Sequence, residues 1–90
     1  MAIKKALIVD DSKSARLVLK RMLIEFALDV DTVESAIDAL TYLKDHQPDV
    51  IFMDHMMPGM DGFEAIKHIK INPKTAVIPI MMYTSRSGDV

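Results

Sequence analysis

Val50-Ile51-Phe52-Met53-Asp54-His55-Met56-Met57-Pro58-Gly59-Met60-Asp61-Gly62-Phe63-Glu64-Ala65-Ile66-Lys67-His68-Ile69 is the stretch on which the fold turns. It opens with four apolar residues and no polar alternation, so it reads as a strand covered on both faces. The run stops at Asp54. A loop rich in Gly, Pro and Met follows. Phe63, Ile66 and Ile69 then fall on one side of a predicted helix, closed near Asn72-Pro73.

The same alternation extends in both directions. Towards the N-terminus, Ala6-Leu7-Ile8-Val9 is a short apolar run that ends at Asp10-Asp11-Ser12, as a buried strand entering a polar loop does. Apolar residues at 15, 19, 22, 23 and 26, with Lys13, Arg16 and Lys20 on another side, predict an amphipathic helix. Asp29 to Val33 alternates polar and apolar, the pattern of a half-exposed edge strand. Ser35-Ala36-Ile37-Asp38 resembles a capping box with Asp in place of Glu, and Ala36, Ala39, Leu40 and Leu43 mark the helix behind it, which ends before Pro48. Towards the C-terminus, Ile80-Met81-Met82-Tyr83 is a fourth strand with Pro79 at its start. Strand, helix, strand, helix, strand, helix, strand implies a parallel α/β sheet with right-handed crossovers.

Composition narrows the function. Ninety residues make one domain at most, and a chain that is 50% hydrophobic and 27% charged is globular. A net charge of −2 gives no electrostatic case for nucleic acid or an anionic membrane. With no cysteine, disulfides and thiolate metal sites are out. The apolar run behind the basic Met1-Ala2-Ile3-Lys4-Lys5 stops at Val9, too short for a secretory signal. The longest apolar stretch, Ala76 to Tyr83, contains Pro79 and cannot span a bilayer. A cytoplasmic location is the expectation.

In an open α/β sheet, ligands gather at the carboxyl ends of the strands. The residues following strands 1, 3 and 4 are Asp10-Asp11, Asp54 and Thr84, and parallel strands bring them to one rim. Three carboxylates there repel each other unless a cation joins them. Hard oxygen ligands suit Mg²⁺, which keeps several waters and accepts phosphate oxygens.

Asp54-His55-Met56-Met57-Pro58-Gly59-Met60-Asp61-Gly62 resembles the signature D-x-x-M-P-x-M-D-G around the phosphorylated aspartate of response-regulator receiver domains. The Asp-Asp pair after strand 1 and the Thr after strand 4 are similar to that family's companion motifs. The resemblance implies a flavodoxin-like (CheY-like) doubly wound sheet, here of order 2-1-3-4, and a phosphoacceptor that is not a free-standing enzyme. It implies that Asp54 takes a phosphoryl group from a sensor histidine kinase or phosphotransfer protein. Asp11 and Asp54 are then Mg²⁺ ligands through carboxylate oxygens, Met56 through its backbone carbonyl, and Asp10 through water. Thr84 hydrogen-bonds the arriving phosphoryl group, and Ser85 keeps the next position small. Beyond the name, phosphoryl transfer needs positioning and charge neutralisation more than covalent catalysis, which suits this residue set.

Other residues read more plainly. His46, His55 and His68 share no metal-ligand spacing, and strand alternation turns His55 away from Asp54. Met53 and one of Met81 or Met82 fill the core, while Met56, Met57 and Met60 form a soft loop cluster. Lys4, Lys5, Lys13, Arg16, Lys20 and Arg21 read as solvated positions with no ligand.

One departure from the family stands out. Its domain continues through another helix, a fifth strand bearing a lysine, and a last helix, whereas Lys74 is the last lysine here and precedes strand 4. The expectation is that residues 1–90 are the N-terminal part of a receiver domain cut after strand 4. Its exposed strand edge and lone helix 1 then favour a homo-oligomer, most simply a dimer. A half-domain that folds or assembles without signalling is the alternative. A dehalogenase-type hydrolase ranks lower, because it wants Asp-x-Asp where this chain has Asp10-Asp11.

Overall fold

The computed structural model describes residues 4–55, 57 and 59–83. Its elements are β1 (Lys5–Val9), α1 (Lys13–Glu25), β2 (Asp29–Val33), α2 (Ala36–Tyr42), β3 (Val50–Asp54), α3 (Gly62–Ile71) and β4 (Ile80–Tyr83). The four strands form one sheet, parallel as the apolar runs predict, in the order β2-β1-β3-β4 that the family resemblance implies.

Side-chain alternation along the strands divides the interior into two layers. Leu7, Val9, Ile51 and Met53 point to one face, where they pack with Ala36, Ala39, Leu43, Met57, Ala65, Ile69 and Ile78. Helices α2 and α3 cover that face. Ala6, Ile8, Val30 and Val50 point to the other and meet Leu23, with Leu19, Leu28 and Phe52 alongside. Only α1 covers this second face among the described residues. Val18, Met22 and Met81 are consequently 60%, 53% and 57% exposed.

Local chemistry sets the helix boundaries. Each helix starts on a side chain that accepts a backbone N–H three residues on: Ser12 from Ala15, Ser35 from Asp38, and Asp61 from Glu64. Helix α1 therefore begins at Lys13, two residues before its first apolar residue, Ala15. It closes in a Schellman turn, with Leu28 N–H donating to Leu23 and Ala27 N–H to Ile24. Ala27 holds the left-handed position there at φ 64°.

Two readings of the helix faces need correction. The buried side of α3 is Gly62, Ala65 and Ile69, while Phe63 is 56% exposed. Small residues let the helix close on the end of β3, where the aromatic ring cannot fit. Likewise Met57, although in the loop after β3, is buried in the larger core cluster. Met53 and Met82 fill the core, and Met81 does not. None of the described helices is long and apolar enough to cross a membrane.

Candidate functional site

The carboxyl ends of β1 and β3 are adjacent in the sheet, so Asp10 and Asp54 leave it side by side. Both have no exposed surface, while Asp11, one residue further on, is exposed. One carboxylate oxygen from each of Asp10, Asp11 and Asp54 lies within 4.8 Å of the others. The sequence brought these three together, and the fold does the same.

Asp10 is held at every polar atom of its carboxylate and at its carbonyl. Ser12 N–H donates to Oδ1 at 2.8 Å and the Tyr83 hydroxyl donates to Oδ2 at 2.7 Å. The Arg16 guanidinium donates to the Asp10 carbonyl at 2.8 Å and reaches Glu34 at 3.9 Å. Arg16 is thus a structural brace under the site, with 15% of its side chain exposed, and the reading of it as solvated is overturned. Lys5 is likewise engaged, in an ion pair with Asp31 at 3.1 Å. Burial, and then the bond to Asp10, push the Tyr83 phenol far above its ordinary pKa of 10.0, so it stays protonated as a donor.

The loop after β3 fits closely under Asp54. A Cβ at Gly62 would lie 2.6 Å from the Asp54 carbonyl oxygen, which explains glycine at this position. His55 N–H donates to the Tyr83 carbonyl at 2.7 Å, carrying the β3–β4 pairing one residue past Asp54. The His55 ring turns to α3 and meets Phe63 edge-on, with centroids 4.7 Å apart. That is the direction alternation predicts. Met56, Thr84 and Ser85, expected at this rim, lie outside the described residues.

The donor set fits a small hard cation. It is oxygen-only, carries three formal negative charges, and is partly withdrawn from water. Its 4.8 Å span is close to the roughly 4 Å that separates opposite ligands of an octahedral Mg²⁺. Sequence reasoning missed Tyr83 and Arg16. No local signal could find Tyr83, whose partner is 73 positions away.

A parallel sheet of this order with acidic residues gathered at its carboxyl rim is a flavodoxin-like arrangement. The chain belongs to the response regulator receiver domain family of two-component systems, whose model matches residues 6–90. It is 36% identical over 84 residues to the protein PilG of Pseudomonas aeruginosa, covering 93% of this chain and 62% of PilG. It is 40% identical over 82 residues to the DNA-binding transcriptional regulator NtrC of Klebsiella pneumoniae, covering 91% of this chain but 17% of that protein. Among solved structures, it matches the N-terminal domain of a response regulator receiver protein from Methanoculleus marisnigri at TM-score 0.87 and 34% identity, covering 93% of this chain and 68% of that one. It matches the receiver domain of a sensor histidine kinase from Pseudomonas aeruginosa at TM-score 0.86 and 27% identity, over 93% and 69% of the two chains. That receiver holds a magnesium ion coordinated in its active-site cleft.

Proposed function

We propose that this chain is a phosphoacceptor module in which Asp54 receives a phosphoryl group from a histidine kinase or phosphotransfer protein. The observation that supports it is the convergence of Asp10, Asp11 and Asp54 at one strand rim in a chain of this family. An Asp54 carboxylate oxygen attacks phosphorus, the phosphorus–nitrogen bond to the donor imidazole breaks, and that nitrogen keeps the electron pair. When bound, Mg²⁺ supplies neutralisation of the phosphoryl oxygens' charge. Asp11 and Asp54 would hold it directly, Asp10 through water, and Met56 through its carbonyl. Thr84 would donate to the phosphoryl group. The domain acts as an acceptor and carries no separate substrate reaction of its own.

The test is labelling by acetyl phosphate. In the presence of Mg²⁺ the chain gains one phosphoryl group, and peptide mapping finds it on Asp54. Asp54→Asn abolishes the adduct, and chelation of the metal prevents it. An adduct at another residue, or labelling indifferent to chelation, defeats the reading.

A further inference from the structure

A carboxylate with no exposed surface persists only where its oxygens find donors. For Asp10 one donor is local, the Ser12 N–H on Oδ1, supplied by the turn into α1. The other comes from the far side of the sheet. Tyr83 ends β4, and β3 lies between β4 and β1, so the phenol reaches past the strand carrying Asp54 to touch Asp10 Oδ2. While that bond is made, Asp10, Asp11 and Asp54 still bring an oxygen each within 4.8 Å of one another. The bond and the acidic cluster therefore coexist, and the phenol does not draw Asp10 out of the site.

Resting on the phosphoacceptor reading, we infer that Tyr83 is a positioning residue for the cation site. Its hydroxyl holds the Asp10 carboxylate inward against repulsion from Asp54 and Asp11, so the arriving cation meets a ligand already turned. Hydrogen bonds behind a ligand set its orientation, and their removal weakens metal binding by roughly 10- to 100-fold. Asp10 is expected to reach the metal through water, which places the effect at the lower end. Tyr83→Phe keeps the ring, which lines a groove together with Ser12, Ala15 and Phe52, and removes the hydroxyl alone.

The experiment has two arms on the full chain. Calorimetric titration with Mg²⁺ gives about ten-fold weaker binding for Tyr83→Phe than for the parent, with unchanged circular dichroism. The second arm uses the absence of tryptophan and the presence of two tyrosines. Tyr42→Phe leaves Tyr83 as the sole emitter, its fluorescence quenched by the carboxylate it donates to. In that background Asp10→Asn raises the emission, and Mg²⁺ changes it with the midpoint found by calorimetry. A merely structural ring moves neither signal, and this arm decides if Tyr83→Phe fails to fold. Equal Mg²⁺ affinity in a folded Tyr83→Phe, or Tyr83 emission indifferent to both Asp10→Asn and Mg²⁺, overturns the inference while labelling of Asp54 still upholds the phosphoacceptor reading. A parent chain that binds no Mg²⁺ and takes no label overturns both.

Discussion

Gly59, in the loop after β3, and Gly62, the first residue of α3, separate two physical effects that one substitution type would confuse. Gly59 sits at φ 76° with nothing within 4 Å of a built Cβ, so alanine there meets only the left-handed backbone penalty, about 1 kcal/mol. Gly62 has an ordinary backbone, but its Cβ would press to 2.6 Å on the Asp54 carbonyl oxygen. Backbone cannot give way as a flexible side chain can. Gly62→Ala accordingly destabilises by about 1–3 kcal/mol in urea titration and also weakens Mg²⁺ binding, because the strand end carrying Asp54 must shift. Gly59→Ala leaves Mg²⁺ binding unchanged. Equal effects of the two on stability and metal binding would refute the packing argument. The acidic residues of the site were legible because Asp10 and Asp54 directly follow apolar runs, with Asp11 next to Asp10, and strand ends are set by such runs. Their supports were not. Arg16 serves a backbone carbonyl, and its charge in the sequence reads like that of any solvated helix residue.

At the scale of elements, the end of α1 stores a small strain. Ala27 occupies the left-handed position of a Schellman turn and is exposed. Ala27→Gly removes a penalty of about 1–2 kcal/mol, part of which is offset by the greater freedom of glycine in the unfolded chain. The expected net gain is about 0.5–1 kcal/mol, read as a raised urea midpoint at constant slope; a lowered midpoint would contradict it. A second element-scale device ties α2 to β2. The Tyr42 hydroxyl donates to Asp31 Oδ2 at 2.6 Å and lowers the Asp31 pKa below 3.8, with Lys5 assisting. Because the folded value lies below the unfolded one, this stabilisation is present above pH 3.8 and is lost as acid carries the solution through the lower folded value. With 41% of the Asp31 side chain exposed, the effect is screened and small. Melting temperatures of the parent and Tyr42→Phe therefore converge on acidification below about pH 4. A difference that stays constant to pH 2 would assign the tyrosine a packing role only. Order and type of every element were legible from periodicity, since apolar runs and helical spacing report burial directly. The helix faces were less so. Phe63 matched the helical period of α3, but Gly62 and Ala65, smaller and less conspicuous, are what the fold buries.

Across the whole molecule the two faces of the sheet are unequal. Among the described residues, helices α2 and α3 close one face over a large cluster, and α1 alone leaves part of the other open. The open part is a groove between α1 and β4, lined by Val18, Met22, Phe52 and Met81 and deepened by the Tyr83 ring. Leu17, Ile24 and Phe26 are exposed as well, Leu17 on another side of α1 beside Lys13, Arg16, Lys20 and Thr32. An exposed apolar groove of this kind favours association in water. We expect the chain to form a homo-oligomer through this face at micromolar concentration, with a stable interface burying upwards of about 1,000 Å². The position of the methionines refines how to test it. Met82 packs inward with Ile80 against the α2–α3 cluster, so a charge there unfolds the protein and says nothing about association. Met81 points into the groove and is more than half exposed, so Met81→Lys keeps the fold while charging the surface. Sedimentation velocity then shows an oligomer for the parent and a monomer for Met81→Lys, with matching far-ultraviolet spectra. A parent chain that sediments as a folded monomer across the micromolar range, with Met81→Lys no different, would show that the groove is tolerated in water and that this face does not drive self-association.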